Sequence, residues 1–285
     1  MGLFRKFKAH IRVSRALREI EARRVTPRPH GLPKPLYISL TSYPARFDVL
    51  HLTLRCLLNQ TVQPDGMVLW IGEADMAALP AAVLSMQSDA FQIRATRDMR
   101  AYTKIIPMLA ERPDAFIVTA DDDLYYRATW LEDLVTSALQ HPGQVQAHRA
   151  HRVTHRPDGA MQSYEKWNLD IGRGIAGINI FGRSTAGGDI FATGVGGVLY
   201  PPGSLHADTV RSEVFTELSP YNDDIWLYWM ARRQGSVVRH LGPRFRVLEW
   251  PGSQHQSLRA HNRGKGGENR NDVAIAAMIA AFGKP

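Results

Sequence analysis

The stretch Ala115-Phe-Ile-Val-Thr-Ala-Asp-Asp-Asp-Leu-Tyr-Tyr126 decides which fold the chain is expected to adopt. Its first half is a short apolar run rich in β-branched and aromatic residues, which predicts a strand buried on both faces of an α/β sheet. Three consecutive carboxylates, Asp121, Asp122 and Asp123, follow this run directly. Because ligands bind beyond the carboxyl ends of strands in open α/β sheets, the three acids are expected to lie in a ligand site.

The chemistry of three adjacent carboxylates favours a cation. Crowded like charges raise carboxyl pKa values unless a cation neutralises them. Oxygen ligands suit Mg²⁺ or Mn²⁺, which one or two carboxylates and the phosphates of a substrate usually hold. The alternative is that the acids only cap a helix that starts near Ala128, because Asp is favoured at turns and helix N-termini. One Asp would serve as a cap, so a metal and phosphate site is the preferred prediction.

Outside this stretch, strand patterns alternate with helix patterns through the first half of the chain. Strands are predicted at residues 36–40, 67–71 and 91–95, and helical segments at residues 49–59, 76–86 and 102–109. This alternation predicts a parallel sheet with right-handed crossovers, which is a nucleotide-binding type of fold. No Gly-x-Gly-x-x-Gly follows the first strand and no Gly-Lys-Ser/Thr motif occurs, so neither a dinucleotide site nor a P-loop is indicated.

The second half is less regular. Helices are predicted at residues 130–139, 225–233 and 272–282, and strands at residues 145–153, 237–240 and 245–248. A polar, Gly-containing stretch at residues 154–190 is long enough to indicate a binding role. The Gly-rich residues 193–202 either bring backbone close to a ligand or form a tight bend.

Charge and cysteine content restrict the class of protein. Residues 1–34 hold ten of the 35 Lys and Arg residues but only two of the 27 Asp and Glu residues, which accounts for the whole formal charge of +8. The basicity therefore belongs to an extension and not to a face of the folded body, so nucleic acid is not an expected partner. Cys56 is the only cysteine, which excludes a disulfide framework and favours a reducing cytoplasm.

The N-terminal extension has a pattern of its own. Within residues 1–28, apolar residues recur at helical spacing between cationic ones, which predicts a basic amphipathic helix lying on an anionic membrane surface. The alternatives are a helix packed on the body and an oligomer contact. A Pro-rich linker at residues 26–35 sets residues 1–34 apart from a domain at residues 35–285. No apolar run is long enough to span a bilayer.

Five motifs in this order resemble bacterial glycosyltransferases of the GT-A fold, in particular family-two-like enzymes of capsule and lipopolysaccharide biosynthesis. They are Thr41-Ser-Tyr-Pro44, Tyr102-Thr-Lys104, Asp121-Asp-Asp123, Gly194-Val-Gly-Gly197 and Asn222-Asp-Asp-Ile-Trp226. The resemblance implies an α/β fold, with a Rossmann-like nucleotide-sugar-binding half at residues 35–125. An acceptor-binding and catalytic half follows at residues 126–285.

The resemblance also implies roles for individual residues. The three Asp look like an Asp-x-Asp motif in which Asp123 is the direct ligand of Mn²⁺ or Mg²⁺, with Asp121 and His255 as further metal ligands. The implied nucleotide-sugar-binding residues are Thr41, Ser42, Tyr43, Arg46, Glu73, Lys104, Asp121 and Asp122. Asp224 matches the catalytic base, with Asp223 as the alternative. From the residues alone, Lys104 is equally read as a surface lysine, an exposed loop histidine is the preferred interpretation of His255, and Asp223 or Asp224 is read as a helix cap.

Acceptor contacts are the least specific part of this prediction. Gly196, Gly197, Arg149 and Trp167 are the candidates, although core packing is the default for a tryptophan. The cationic residues at positions 148–156 either face an anionic acceptor or form a solvated strand edge.

The implied reaction moves a sugar from a nucleotide-sugar, with UDP as the first candidate, to a polysaccharide or lipid-linked glycan. It would take place at the inner face of a bacterial cytoplasmic membrane. Such transfer passes through an oxocarbenium-like state, a carboxylate accepts the acceptor proton, and single displacement inverts the anomeric centre. The alternatives are a catalytically silent GT-A-like module that binds glycan or scaffolds an assembly, and a metal-dependent phosphohydrolase.

Overall fold

The computed structural model describes residues 3–173, 184–242, 244–253 and 269–285. The helices in these ranges are α1 (Leu3–Ala22), α2 (Phe47–Leu58), α3 (Ala81–Leu84), α4 (Ile106–Glu111), α5 (Trp130–Gln140), α6 (Ser212–Leu218), α7 (Asp223–Arg233) and α8 (Arg270–Phe282). The strands are β1 (Arg28–Pro29), β2 (Leu36–Ser42), β3 (Val62–Gln63), β4 (Gly66–Gly72), β5 (Phe91–Thr96), β6 (Phe116–Thr119), β7 (Val145–Ala147), β8 (Ala150–Arg152), β9 (Thr185–Gly187), β10 (Ile190–Ala192), β11 (Val198–Tyr200) and β12 (Val238–His240).

One large sheet organises the described part of the chain, in the strand order β5-β4-β2-β6-β11-β7-β12-β9. The first four strands run parallel, whereas β11 is antiparallel to both of its neighbours. From β2 the chain proceeds to β4 on one side and later returns to place β6 on the other. The strand order therefore reverses between β2 and β6, where ligands bind in open α/β sheets. This mixed α/β architecture agrees with the predicted class.

The sheet separates two apolar cores. Along β6, Val118 packs into one core and Ile117 into the other, because successive side chains of a strand point to opposite faces. Helices α1, α2 and α5 cover the first face, and α4, α7 and α8 cover the second. The buried Trp226 and Trp229 of α7 and Met278 of α8 anchor the second core. Burial on both faces explains why the central strands read as continuous apolar runs.

Three predicted elements differ in the structure. The helix expected at residues 76–86 with an interruption at Pro80 does break there, because Pro80 has no N–H to donate, but its first part is a 3₁₀ turn, Glu73–Ala78, and only the short α3 follows. The strand expected at residues 145–153 is divided into β7 and β8, which belong to different sheets. Residues 245–248 form no strand; the neighbouring Glu249 makes an isolated bridge to Leu124.

The second half of α1 packs on the body of the protein. Ala16 and Ile20 are each only 5% exposed and belong to the first core. The Pro-rich segment that follows is also held in place, because β1 pairs with β3 and the His30 ring nitrogen Nε2 lies 2.9 Å from an Asp65 carboxylate oxygen. Packing on the body, the alternative to a membrane helix, therefore describes this half of α1. Within the described ranges, no helix combines the length and apolar character needed to cross a bilayer.

Two isoleucines of α1 give a matched test of this packing. We expect Ile20→Ala to lower the free energy of unfolding by about 2–5 kcal/mol, because it removes buried methyl groups and leaves a cavity. Ile11 is 46% exposed, so Ile11→Ala should change the same quantity by less than about 0.5 kcal/mol. Urea unfolding of both variants measures the difference. Equal effects would mean that α1 does not rest on the body as described.

Candidate active site

A cavity of about 520 Å³ opens at the carboxyl ends of β2 and β6. Its volume falls within the range of roughly 300–1,000 Å³ typical of small-molecule sites. The structure brings most of the predicted nucleotide-sugar residues to its wall: Thr41, Ser42, Tyr43, Arg46, Lys104, Asp121 and Asp122. The cavity therefore lies at the point where the strand order reverses.

Arg46 neutralises one side of the three-aspartate motif. Its Nη1 lies 2.6 Å from Asp122 Oδ1 and 3.0 Å from Asp123 Oδ2. The hydroxyl of Ser42 donates to Asp122 Oδ2 over 2.6 Å. Burial, followed by the charge of Asp122, nevertheless raises the pKa of Asp123 to about 7. The positive charge of Arg46 therefore does not keep the pKa of Asp123 at its ordinary value.

Lys104 joins the motif to a second pair of acids far along the chain. Its side chain is buried, and Nζ lies 3.6 Å from Asp121 Oδ1 and 3.2 Å from Asp223 Oδ2. Ser39 Oγ fixes the Lys104 backbone by donating to its carbonyl over 2.6 Å. The reading of Lys104 as a surface lysine is therefore wrong.

Asp224 is held at the first turn of α7 without serving as its cap. The N-cap is Asn222, whose side-chain oxygen accepts the Ile225 N–H over 3.3 Å. Asp224 Oδ1 instead accepts the Gly194 N–H over 2.8 Å. Burial, and then the neighbouring Asp223, raise the pKa of Asp224 to about 7. A carboxyl group that titrates near neutral pH is suited to general-base catalysis.

Gly194 is a site residue that the sequence analysis names in a motif but to which it assigns no role. A Cβ at this position would lie 2.7 Å from Lys104 Nζ and 3.2 Å from Asp224 Oδ1, so a side chain would displace one of the two. The predicted Gly196 and Gly197 serve packing: a Cβ would come within 2.8 Å of Phe245 or 2.5 Å of Trp130, respectively. The tight-bend alternative therefore describes them.

The three aspartates of the motif also have no capping role. Helix α5 starts at Trp130, seven residues after Asp123, and its N-cap Thr129 makes no side-chain capping hydrogen bond. The alternative in which the acids cap this helix is therefore wrong.

The balance of charge favours a further cation. We use the name acidic cluster for Asp121, Asp122, Asp123, Asp223 and Asp224. Within the described residues, this cluster has ion pairs with Lys104 and Arg46 alone. If all five acids are ionised, the cluster carries three more negative charges than the two described cations supply. Removing such an excess of charge from water costs free energy. Desolvation is the first cause of the raised pKa values of Asp123 and Asp224, and the charges of neighbouring carboxylates add to it.

The donor set fits a divalent metal held jointly with a phosphate. No group of three or more His, Cys, Asp or Glu side chains in the described ranges encloses a metal site. Mg²⁺ and Mn²⁺ do not require such a cage, because one or two carboxylates and substrate phosphates complete their coordination. Asp121 and Asp123 would provide those carboxylates; Asp121 lines the cavity, whereas Asp123 is buried behind its wall. The third predicted ligand, His255, lies outside the described residues.

Glu73 is exposed and is not part of the cavity wall, contrary to the prediction. Asp75 and Asp98 line the cavity near the ends of β4 and β5 instead. The hydroxyl of Thr41 donates to the Trp70 carbonyl over 2.9 Å, so it serves the sheet. Two further wall residues escaped the sequence analysis, Arg100 and Tyr221, whose guanidinium carbon and ring centroid are 5.1 Å apart.

The predicted acceptor residues lie apart from the cavity wall. Trp167 is buried, and its indole N–H donates to the Gln162 carbonyl over 2.9 Å, so core packing describes it. Arg149 Nη1 donates to Thr193 Oγ1 over 3.0 Å. The cationic stretch around it is not one exposed face, because His148 is buried and burial lowers its pKa to about 3.

Comparison with known proteins identifies no family. No protein-family model matches the chain, and no curated protein matches its sequence. Among solved structures, a similar one is 4-diphosphocytidyl-2C-methyl-D-erythritol synthase from Anaerococcus prevotii DSM 20548. That chain is 10% identical, and the alignment covers 74% of this chain and 90% of that one with a TM-score of 0.45. A similarity this weak carries no conclusion about activity.

Proposed function

We propose that the protein is a metal-dependent, inverting glycosyltransferase that uses a nucleotide-sugar, with a UDP-sugar as the first candidate. One observation carries the proposal: the buried Lys104 connects an acidic motif at the end of β6 with the carboxylate pair at the start of α7. The first group suits a metal and a diphosphate, and the second suits a base. In transfer from a nucleotide-sugar, the diphosphate site and the base lie on either side of the transferred sugar, so the two acidic groups must be no further apart than one sugar ring.

The donor would lie along the cavity. Ser42, Tyr43 and Arg46 line the part that follows β2, which suits the nucleoside. Lys104 also lines the cavity, with Nζ 3.6 Å from Asp121 Oδ1, and would offer a cation to the diphosphate. A divalent metal held by Asp121 and Asp123 would stabilise the charge that develops on the departing diphosphate.

Asp224 is the proposed base. Its Oδ1 is held by the Gly194 N–H, whereas Asp223 is engaged by Lys104. An acceptor hydroxyl that approaches the sugar from the side of α7 would transfer its proton to Asp224 as the new glycosidic bond forms. Asp223 and Lys104 then act as the charged neighbours that set the basicity of Asp224.

Nucleotide release from a panel of UDP-, GDP-, CMP- and dTDP-sugars, with Mn²⁺ or Mg²⁺ and with EDTA, tests this proposal. We expect metal-dependent release of one nucleotide, and a loss of roughly 10²–10⁴-fold in kcat in Asp224→Asn with nucleotide binding retained. Near-normal turnover of that variant would place the base elsewhere. Release of inorganic phosphate alone would identify a phosphohydrolase. Glycan binding without any nucleotide response would identify a silent binding module.

The pH dependence follows from the raised pKa of Asp224. Because the base must be ionised, kcat/KM should rise about tenfold per pH unit below about pH 7 and level off above it. The folded pKa near 7 lies above the ordinary 3.8, so folding favours the protonated form. The free energy of unfolding of the metal-free protein should therefore fall as pH rises from about 4 to about 7. In Asp224→Asn this pH-dependent decrease should be absent. A flat rate profile from pH 5 to 8 would contradict the assignment.

We also propose that the exposed part of α1 binds an anionic membrane surface, where a lipid-linked acceptor would be found. Arg12, Arg15 and Arg18 are exposed on this helix together with Ile11. Each basic residue near an anionic surface contributes about 1 kcal/mol to binding. The location at the inner face of a bacterial cytoplasmic membrane remains part of this proposal.

Liposome flotation tests the membrane proposal with the fold left intact. Wild type should float with anionic phosphatidylglycerol vesicles and not with neutral phosphatidylcholine vesicles. A variant with Arg12→Glu, Arg15→Glu and Arg18→Glu should remain with the soluble fraction in both cases, because its charges repel the anionic surface. Equal flotation of the variant and wild type on anionic vesicles would rule out this mode of binding.

A further inference from the structure

Arg23, the residue directly after α1, makes hydrogen bonds with all five of its side-chain N–H groups. Nε and Nη2 donate to the two carboxylate oxygens of Glu19 over 3.0 and 2.8 Å. Nη1 donates to the carbonyls of Cys56 and Asn59 over 3.0 and 3.1 Å, and Nη2 also donates to the Tyr126 carbonyl over 2.8 Å. The Arg23 side chain is only 2% exposed. A buried guanidinium with every donor used is fixed in position.

The three carbonyls belong to two different parts of the molecule. Cys56 and Asn59 lie at the end of α2, where the last carbonyls of a helix lack intrahelical partners. Tyr126 closes the segment that we call the acid loop, residues 121–126, which begins with the three-aspartate motif. Arg23 therefore connects the end of α1 and the end of α2 to the loop that carries the candidate metal ligands.

Both tyrosines of the acid loop extend this connection. The Tyr126 hydroxyl accepts the Asp121 N–H over 2.8 Å, so the last residue of the loop holds the first. The Tyr125 hydroxyl donates to Glu19 Oε2 over 3.1 Å. The loop is thus closed on itself by Tyr126 and tied to α1 by Arg23 and Glu19. Tyr126 is fully buried, and its ring centroid lies 4.6 Å from that of Trp130 with the ring planes tilted by 55°, so its ring has no room to compensate for a shift.

We propose that Arg23 is a positioning residue of the donor site: it fixes the Tyr126 carbonyl, and through the Tyr126 hydroxyl it sets the backbone at Asp121. The last turn of the N-terminal helix is then part of the site and not an appendage. The inference rests on the proposed function, because the donor site is the one proposed above. Ligands of a metal and a diphosphate must be held within about 0.5 Å, which a loop of six residues achieves only through such supports.

The substitution Arg23→Lys distinguishes the positioning role of the Arg23 hydrogen bonds from the effect of its positive charge. Arg23→Lys keeps the positive charge beside Glu19, but an ammonium cannot reach three carbonyls and a bidentate carboxylate in one plane. Ile20→Ala is the matched control, because Ile20 belongs to the same docked turn and is buried, and its apolar side chain has no hydrogen bond to lose. Arg24→Lys controls for the substitution itself, since Arg24 is exposed.

The first measurement is the Kd of UDP with Mn²⁺, together with KM and kcat for the active nucleotide-sugar. We expect Arg23→Lys to raise Kd and KM by about tenfold, the effect of losing a charged hydrogen bond, with a smaller change in kcat. Ile20→Ala should lower the melting temperature at least as much while leaving Kd within about twofold, because it leaves a cavity in the core but keeps every hydrogen bond of Arg23. An equal rise of Kd in both variants would reduce Arg23 to a structural role and overturn the inference.

Amide hydrogen exchange provides a readout that does not depend on activity. The Asp121 N–H should lose protection in Arg23→Lys and keep it in Ile20→Ala and Arg24→Lys, since only the first change releases Tyr126. Retained protection of Asp121 in Arg23→Lys would contradict the inference whether or not nucleotides bind. If wild type binds no nucleotide while the exchange result holds, the proposed function fails and the positioning of the acid loop by Arg23 stands.

Discussion

The sharing of two described cations, Lys104 and Arg46, among five clustered aspartates is the constraint on which the rest of the structure depends. Asp122, Asp123 and Asp223 are buried, and Asp121 and Asp224 are half-buried. Lys104 and Arg46 are placed so that each serves two carboxylates, and Lys104 does so across elements that lie more than a hundred residues apart. Lys104 is the cation that pairs with both Asp121 and Asp223 among the described residues. The long segment from β6 to α7 therefore has to return to the ends of the parallel strands. What remains is a site with excess negative charge, which a metal and its phosphate ligands would complete.

Three contacts that support the cluster are each a hydrogen bond between a side chain and a backbone group. The Gly194 N–H holds Asp224, the Ser39 hydroxyl holds the Lys104 carbonyl, and the Arg23 guanidinium holds the carbonyl of Tyr126. In each contact, a residue of the site is held by a residue from a different element of the fold. Such support from neighbouring elements gives a rigid site at the end of a sheet whose own strands are short. It also explains why the N-terminal helix, which the sequence sets apart by its charge, is joined to the body at its final turn.

Much of the site could be predicted because its residues stand at positions with strong local signals. A buried apolar run followed by acids located β6 and Asp121, and the alternation of elements located the ends of β2 and β4. The long-range pairing of Lys104 with Asp223 has no local signal, since it depends on how β11 and α7 return to the sheet. The role of Arg23 was equally hidden, because its partners are backbone carbonyls, which every sequence possesses. Trp167 and Gly197 were misplaced because residue type alone does not distinguish a ligand contact from close packing.

The central claim is that the acidic cluster takes up a divalent metal and a nucleoside diphosphate together. Calorimetric titration of UDP into the protein with Mn²⁺ and with EDTA, repeated on Asp123→Asn, tests it most directly. The account predicts that Mn²⁺ tightens UDP binding by at least about tenfold, that UDP tightens Mn²⁺ binding by the same factor, and that the variant loses this coupling. UDP affinity that is the same with and without metal, in wild type and variant alike, would contradict it.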